Sequence, residues 1–261
     1  MTSDKEKTAS ADPIHLRVVD LKKAYGDQEV LRGVTLDVER GKINVIIGAS
    51  GAGKTVLMRQ IVRLEKPDTG SIFFDGEDIA AMSEIELIRV RKKMGMVFQM
   101  SALFDSMTVF ENVAFMLWEH TKMKAPEIRD RVMQRLASLG VEETAHRMPS
   151  EISGGMKRRV SVARALVMEP ELLIYDEPTT GLDPITSRTV DDLILEMAAE
   201  SGVTSIVITH DMTSVFRIGD VINYLYKGRI DTSAKPDAFL DEANEATRDF
   251  LKASGVISAQ R

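Results

Sequence analysis

The chain has 261 residues, 44% of them hydrophobic, with a formal net charge of −6 and no cysteine. That length can bury a large core, as one α/β domain with an inserted lobe or as two small domains. The acidic balance excludes a nucleic-acid binder that relies on bulk charge, and the lack of cysteine excludes a disulfide framework or a thiolate metal site. No apolar stretch approaches the ~18 residues needed to span a bilayer, so membrane contact is expected only through partners. Residues 1–13 are polar and lack an apolar h-region, so they read as a disordered tail rather than a signal peptide.

Ile14 to Leu21 reads as a strand and Lys22 to Asp27 as a turn. Val34, Leu36 and Val38 alternate with Thr35, Asp37 and Glu39, the pattern of a half-exposed antiparallel strand. Arg40-Gly41-Lys42 turns the chain into an apolar run, Ile43 to Ile47, and Gly48-Ala49-Ser50-Gly51-Ala52-Gly53-Lys54-Thr55 follows. This is the spacing of a phosphate-binding loop, with a strand before it and a helix after it. Gly48, Gly51 and Gly53 free the backbone, so that the N–H groups of Ser50, Ala52 and their neighbours can face an anion. The next helix aims its positive end at the same place. Lys54 offers a point charge and Thr55 a hydroxyl for Mg²⁺.

Pro67 to Gly70 reads as a turn and Ser71 to Asp75 as a strand, completing a small antiparallel sheet. Ser83 with Glu86 and Thr108 with Glu111 are two capping boxes. The first opens a helix to about Lys93; a short strand, Met94 to Phe98, ends at Gln99. Residues of roughly 100–166 are expected to form an inserted helical lobe. One of its helices starts at Pro126, carries Ile128, Val132, Leu136 and Leu139 on one face, and closes at Gly140. Leu172 to Tyr175 and Ser205 to Ile208 are continuous apolar runs, as in strands buried on both faces, with a helix from about Pro184 to Glu200 between them. Val221 to Tyr226 and a short strand after Lys227-Gly228-Arg229 finish the core at about residue 230. Residues 231–261 form a tail with Phe239, Leu240, Ala243, Phe250 and Leu251 at helical spacing, which could pack on its own chain or on a partner.

Asp176-Glu177 ends the Leu172 strand, and ligands of open α/β sheets sit at the carboxyl ends of strands. Asp176 could hold Mg²⁺ and Glu177 could polarise an attacking water. Ser153-Gly154-Gly155-Met156 opens a helix and offers a second anion nest; alone, such a run is usually only a cap.

With both constellations in place, the chain resembles the ATP-binding cassette (ABC) ATPases from Ile14 to about Ile230. The resemblance implies a phosphate-loop NTPase core with an antiparallel β subdomain and an inserted α-helical subdomain, and ATP with Mg²⁺ as ligands. It assigns Tyr25 to stacking on adenine, Gly48 to Thr55 to the phosphates, and Gln99 to Mg²⁺ and the attacking water. It assigns Asp176 to Mg²⁺, Glu177 to catalysis and His210 to the γ-phosphate. Ser153, Gly154 and Gly155 match the family signature that reaches the ATP of a second subunit, and Asp183 the loop that couples the two sites. The signature commonly ends in Gln; here Met156 stands in that place.

Ser-Gly-Gly-Met followed by basic residues, Thr179 to Pro184 and the short helical tail are similar to the Mla-type phospholipid-transport ATPases of Gram-negative envelopes. That narrower resemblance implies a nucleotide-sandwich homodimer on the cytoplasmic face of the inner membrane. Its partners would be transmembrane permease subunits, with a small cytoplasmic regulatory subunit and a periplasmic lipid-binding subunit as further implied components, and no nucleic acid. An importer of amino acids or another small solute stays open, because the cassette does not touch cargo. A soluble non-transport ATPase is disfavoured by the single cassette and the lack of a long coiled coil, and a non-hydrolysing binding module by an intact Glu177 and His210.

Overall fold

The computed structural model describes residues 12–98 and 102–257. Two sheets organise them. The first is antiparallel, with strands β1 (Ile14–Tyr25), β2 (Gln28–Glu39), β4 (Thr69–Phe74) and β5 (Glu77–Asp78) in the order β2-β1-β4-β5. The second contains β3 (Ile43–Ile47), β6 (Met94–Val97), β7 (Leu172–Asp176), β8 (Thr204–Ile208), β9 (Val221–Tyr226) and β10 (Arg229–Ala234). Its order is β10-β9-β3-β8-β7-β6, parallel throughout except for β10.

β3 and β8 are buried at every position, which explains why they read as unbroken apolar runs rather than alternations. Successive side chains still take opposite faces. Ile43, Val45 and Ile47 join a core shared with the helices, whereas Ile46 joins a core shared with the antiparallel sheet. The parallel sheet thus divides two apolar layers. The helical layer includes α3 (Val109–His120), α4 (Ala125–Ser138) and α5 (Gly154–Leu166), with Val113, Leu117, Val132, Leu136 and Val160 fully buried. Both expected capping boxes are formed: Ser83 with Glu86 opens α2 (Glu84–Arg91), and Thr108 with Glu111 opens α3. Gly140, at φ 62°, closes the turn after α4, where a left-handed residue is needed.

The structure corrects several expected boundaries. Lys22 to Tyr25, read as a turn, belongs to β1; only Gly26 and Asp27 turn. Pairing to β2 carries β1 through its polar end, with Lys23 opposite Leu31 and Tyr25 opposite Gln28. Thr69 and Gly70, also expected in a turn, already pair in β4. Asp12 and Pro13, expected in a disordered tail, are anchored to Arg40: its N–H donates to the Pro13 carbonyl at 2.8 Å. Residues 1–11, the rest of the expected disordered tail, lie outside the described residues.

At the other end, β10 carries the sheet past residue 230 before α8 (Pro236–Phe239) and α9 (Glu245–Ala253) begin. These helices pack on their own chain. Phe239 and Leu251 are fully buried, and Phe250 stacks on Tyr224 of β9 at 4.8 Å; Leu240 instead faces solvent.

The amino ends of the parallel strands meet the antiparallel sheet in one charged cluster. His15 of β1 is 2% exposed and its Nδ1 lies 2.6 Å from Thr204 Oγ1, which accepts the Gly41 N–H at 2.9 Å. If Thr204 gives its proton to Nδ1, the ring proton sits on Nε2, which has no hydrogen-bond partner among the described residues. Nε2 then faces Asp75 at 3.6 Å and Glu171 at 3.8 Å. Arg40 pairs with Asp75, and Lys93 reaches Asp75 at 3.4 Å and Glu171 at 3.0 Å. Burial, followed by the neighbouring Arg40 charge, pushes His15 down to about 4, so the ring stays neutral.

Candidate functional site

The phosphate loop leaves β3 at its carboxyl end and feeds α1 (Lys54–Ile61). Its glycines are required by space and by angle. A Cβ on Gly48 would stand 2.6 Å from the Leu225 carbonyl oxygen, and Gly51 and Gly53 have φ of 77° and 103°. α1 has no side-chain cap and no acidic residue in its first turn. Its first N–H groups are therefore left to an incoming acceptor, and nothing negative on the helix competes with an anion. Ser50 and Thr55 are exposed at this mouth.

Lys54 folds back over its own loop. Its ammonium donates to the carbonyls of Gly48 at 2.7 Å and Ala49 at 3.2 Å, and lies 4.0 Å from Glu177 Oε1. Burial lowers its pKa, with Glu177 opposing. Glu177 follows β7 in a left-handed conformation, φ 51°, and its N–H donates to the Ile208 carbonyl at 2.8 Å. This strained backbone holds the side chain between two strand ends. Glu177 Oε2 sits 2.8 Å from His210 Nδ1 and accepts from Thr180 Oγ1 at 2.8 Å. The ends of β3, β7 and β8 thus bring Lys54, Glu177 and His210 into one contact chain.

Asp176, at the last position of β7, is half-buried. Burial first and Glu177 second push its carboxyl up, a sign that the charged form lacks compensation in the protein alone. An Asp carboxylate and the Thr55 hydroxyl are both hard oxygen donors, which suits Mg²⁺ rather than a softer metal. Gln99, the third expected ligand, lies outside the described residues.

Ser153 caps α5, accepting the Met156 N–H at 3.3 Å, and Gly154 and Gly155 are exposed. They line an open cavity of about 730 Å³ with Leu182 and Thr186, and no phosphate-loop residue lines it. Within one chain the two anion nests are not brought together. Met156 packs its side chain against the helical core. Asp183 caps α6 (Pro184–Ser201), accepting from the N–H groups of Ile185 at 3.0 Å and Thr186 at 3.1 Å. Tyr25 is 45% exposed, its hydroxyl donates to Glu65 at 2.6 Å, and the Lys23 ammonium stands over its ring at 5.6 Å from the centroid.

Sequence reasoning assigned no role to Thr180. Its signal was present: a hydroxyl three residues beyond a carboxylate in a turn, here closed by the Thr180 N–H on the Glu177 carbonyl at 3.3 Å.

Residues 31–180 match the ABC transporter family. The chain is 43% identical to the intermembrane phospholipid transport system ATP-binding protein MlaF of Escherichia coli (strain K12), over 89% of this chain and 86% of that one. It is 37% identical to the probable ribonucleotide transport ATP-binding protein mkl of Mycobacterium leprae, over 91% of this chain and 69% of that one. Among solved structures, it superposes on cbiO1 from Clostridium perfringens, part of the cbiONQ ABC transporter complex, with a TM-score of 0.82 and 32% identity, covering 95% of this chain and 100% of that one. The ATP-binding cassette MJ0796, solved as a dimer in a post-hydrolysis state with ADP and Pi, gives a TM-score of 0.76 and 31% identity over 85% of this chain and 98% of that one. The phosphate loop on β3, the Asp-Glu pair on β7, the fold and these likenesses agree, and the chain belongs to the ABC transporter family of ATP-binding cassettes.

Proposed function

We propose that this chain is the ATP-hydrolysing subunit of a transporter that moves phospholipid between the membranes of a bacterial envelope. The observation that carries the hydrolytic part is the convergence of Lys54, Glu177 and His210, with Glu177 Oε1 4.0 Å from the lysine and Oε2 2.8 Å from the histidine. The phospholipid cargo rests on the likeness to MlaF, whose name carries it.

In this reading the backbone N–H groups of the loop and Lys54 hold the β- and γ-phosphates, and Tyr25 stacks on the adenine. Thr55, Asp176 and Gln99 would hold Mg²⁺, which would neutralise charge developing on the phosphate oxygens. Glu177, released from Lys54 when phosphate takes the ammonium, orients water for in-line attack, and His210 steadies the γ-phosphate. Ser153, Gly154 and Gly155 of a second copy close each site, which accounts for two nests in one chain that do not meet. Asp183 lies on the loop joining the two sites.

Among the described residues no helix is long and apolar enough to cross a membrane. Coupling to a permease therefore needs a docking place. An apolar groove of about 330 Å³ lies between β6 and helices α3 and α5, with Phe98, Phe104, Phe115 and Met116 in its lining and Phe98 next to Gln99 in the chain. A permease helix seated there would press on the segment that carries Gln99.

The test is specific ATPase activity against protein concentration, with and without co-purified membrane subunits, followed by phospholipid transfer between vesicles. Turnover per chain should rise with concentration, because partner chains complete the sites, and rise further in the assembled complex, where effective concentration is roughly millimolar. High activity in the dilute free chain, unchanged by membrane subunits, would favour a soluble ATPase. ATP-driven transfer of an amino acid but not of phospholipid would favour the small-solute importer.

A further inference from the structure

Behind His210 lies a group of buried polar side chains to which the hydrolytic scheme gives no task. Asp191, in the middle of α6, is 2% exposed. Its Oδ2 accepts from Ser214 Oγ at 3.0 Å, and its Oδ1 has no hydrogen-bond partner among the described residues. Ser214 belongs to α7 (Met212–Ile218), and its Oγ also lies 3.2 Å from Asp211 Oδ2. Asp211 immediately follows His210 and caps α7, accepting from the N–H groups of Thr213 at 3.0 Å and Ser214 at 3.5 Å. Its own N–H donates to Thr209 Oγ1 at 3.0 Å. Thr179 Oγ1 approaches Asp211 Oδ2 at 3.5 Å, so the network also touches the segment that carries Glu177 and Thr180.

An aspartate inside a helix–helix contact is costly unless it is used in hydrogen bonding, and an apolar residue of similar size would pack there without that cost. One hydroxyl, Ser214, stands between two carboxylates. It has a single proton to give, so it can serve only one of them when both are ionised. A proton on Asp191 resolves this. Asp191 then donates to Ser214, Ser214 donates to Asp211, and the chain of bonds runs one way, towards the residue beside His210. Burial raises the Asp191 carboxyl in that sense, against Ser214 and Arg217, while Asp211 and Asp192 add to the rise. Arg217 lies 3.8 Å from Asp191 Oδ2 but makes its closer pair with Asp192.

We propose that Asp191 is a positioning residue for ATP hydrolysis: through Ser214 and Asp211 it fixes the direction from which His210 meets Glu177, and it ties that direction to α6. The inference rests on the hydrolytic reading given above. α6 begins at the Asp183 cap, about 12 Å along the helix axis from Asp191. A rigid helix therefore connects the loop expected to sense the second subunit with the cap that carries the histidine.

The experiment is steady-state ATP hydrolysis by the assembled transporter carrying Asp191→Val, Asp191→Asn or Ser214→Ala, with His210→Ala as control and a thermal melt of each. Asp191→Val should lower kcat about tenfold, well within what misplacing a functional group by about 1 Å can cost. KM for ATP should stay within about twofold, since the phosphate loop is untouched. Asp191→Asn, whose amide donates to Ser214 as the protonated acid would, should restore most of kcat. Ser214→Ala should match Asp191→Val, and the double variant should be no worse than either. Normal kcat in Asp191→Val or in Ser214→Ala would overturn the proposal, as would an Asp191→Asn as impaired as Asp191→Val. If Asp191→Val fails to fold, Ser214→Ala, which removes one oxygen, decides alone. Normal turnover in His210→Ala would refute the hydrolytic role of the histidine itself, a failure separate from that of Asp191.

Discussion

The two ends of the parallel sheet carry similar charges and treat them in opposite ways. At the amino ends of β6, β7 and β8, Arg40, Lys93, Asp75 and Glu171 pair around a neutral His15. Burial alone would raise Asp75, yet its hydrogen bonds, that from Arg40 first, hold it below its usual range, and the bond that Lys93 donates to Glu171 raises Lys93. Both groups are pushed towards their charged forms. At the carboxyl ends the sense reverses: burial raises Asp176 and lowers Lys54, pushing each towards its neutral form. The amino end is a finished contact between two sheets. The carboxyl end leaves Lys54 and Asp176 with under-compensated charges, and it includes a left-handed Glu177.

The contrast can be tested from both sides. Glu177→Gln removes the carboxylate from the unfinished end. Turnover should fall at least about a hundredfold, the scale for losing an acid–base group, while ATP binding persists and an ATP-dependent dimer accumulates. Single-turnover hydrolysis with sizing chromatography checks this, and normal turnover would remove Glu177 from the chemistry.

At the finished end the expected effect is on stability and its pH dependence. His15 titrates at about 4 in the folded chain against 6.5 when unfolded. Between those values the unfolded state binds the proton and the native state does not. Stability should therefore fall as pH drops from about 6.5 to about 4, by up to roughly 3 kcal/mol from this group, and level off below. Urea melts of the wild type and of His15→Asn, which keeps a partner for Thr204 and does not titrate, should differ in slope within that window. Equal slopes would place the acid sensitivity elsewhere.

The smallest effect should come from the rim of the same cluster. Lys93 and Glu171 pair at 3.0 Å with side chains 45% and 42% exposed. A double-mutant cycle with alanine at each position should return a coupling of about 0.2–1 kcal/mol, reduced by salt.

Most of the nucleotide end was legible in the sequence because its residues follow strands directly. A phosphate loop after Ile47, Asp-Glu after Tyr175 and His210 after Ile208 each announce a strand's carboxyl end, and parallel order does the rest. The amino end was not legible. His15, Arg40, Asp75, Lys93 and Glu171 come from five separate junctions, and nothing local says that those junctions share a corner. Thr180 and Asp191 were missed for a related reason: their partners, Glu177 and Ser214, are specified by a turn and by a helix crossing. The strand boundaries failed where pairing overrode composition, as at Lys22 to Tyr25.

The strand order carries a consequence for biosynthesis. β3 delivers the phosphate loop and is complete at residue 47, but its neighbours on the two sides, β8 and β9, begin at residues 204 and 221. A ribosome releasing this chain from its amino end exposes the loop long before either neighbour exists. Gly48 cannot settle against the Leu225 carbonyl until that residue has emerged. The antiparallel sheet, with its local hairpin of β1 and β2, can form early; the central strand must wait for a closure spanning most of the chain. Nascent chains stalled before residue 204 should therefore be unable to retain ATP, and the apolar run Ile43 to Ile47 is the segment a chaperone would most need to cover in that interval.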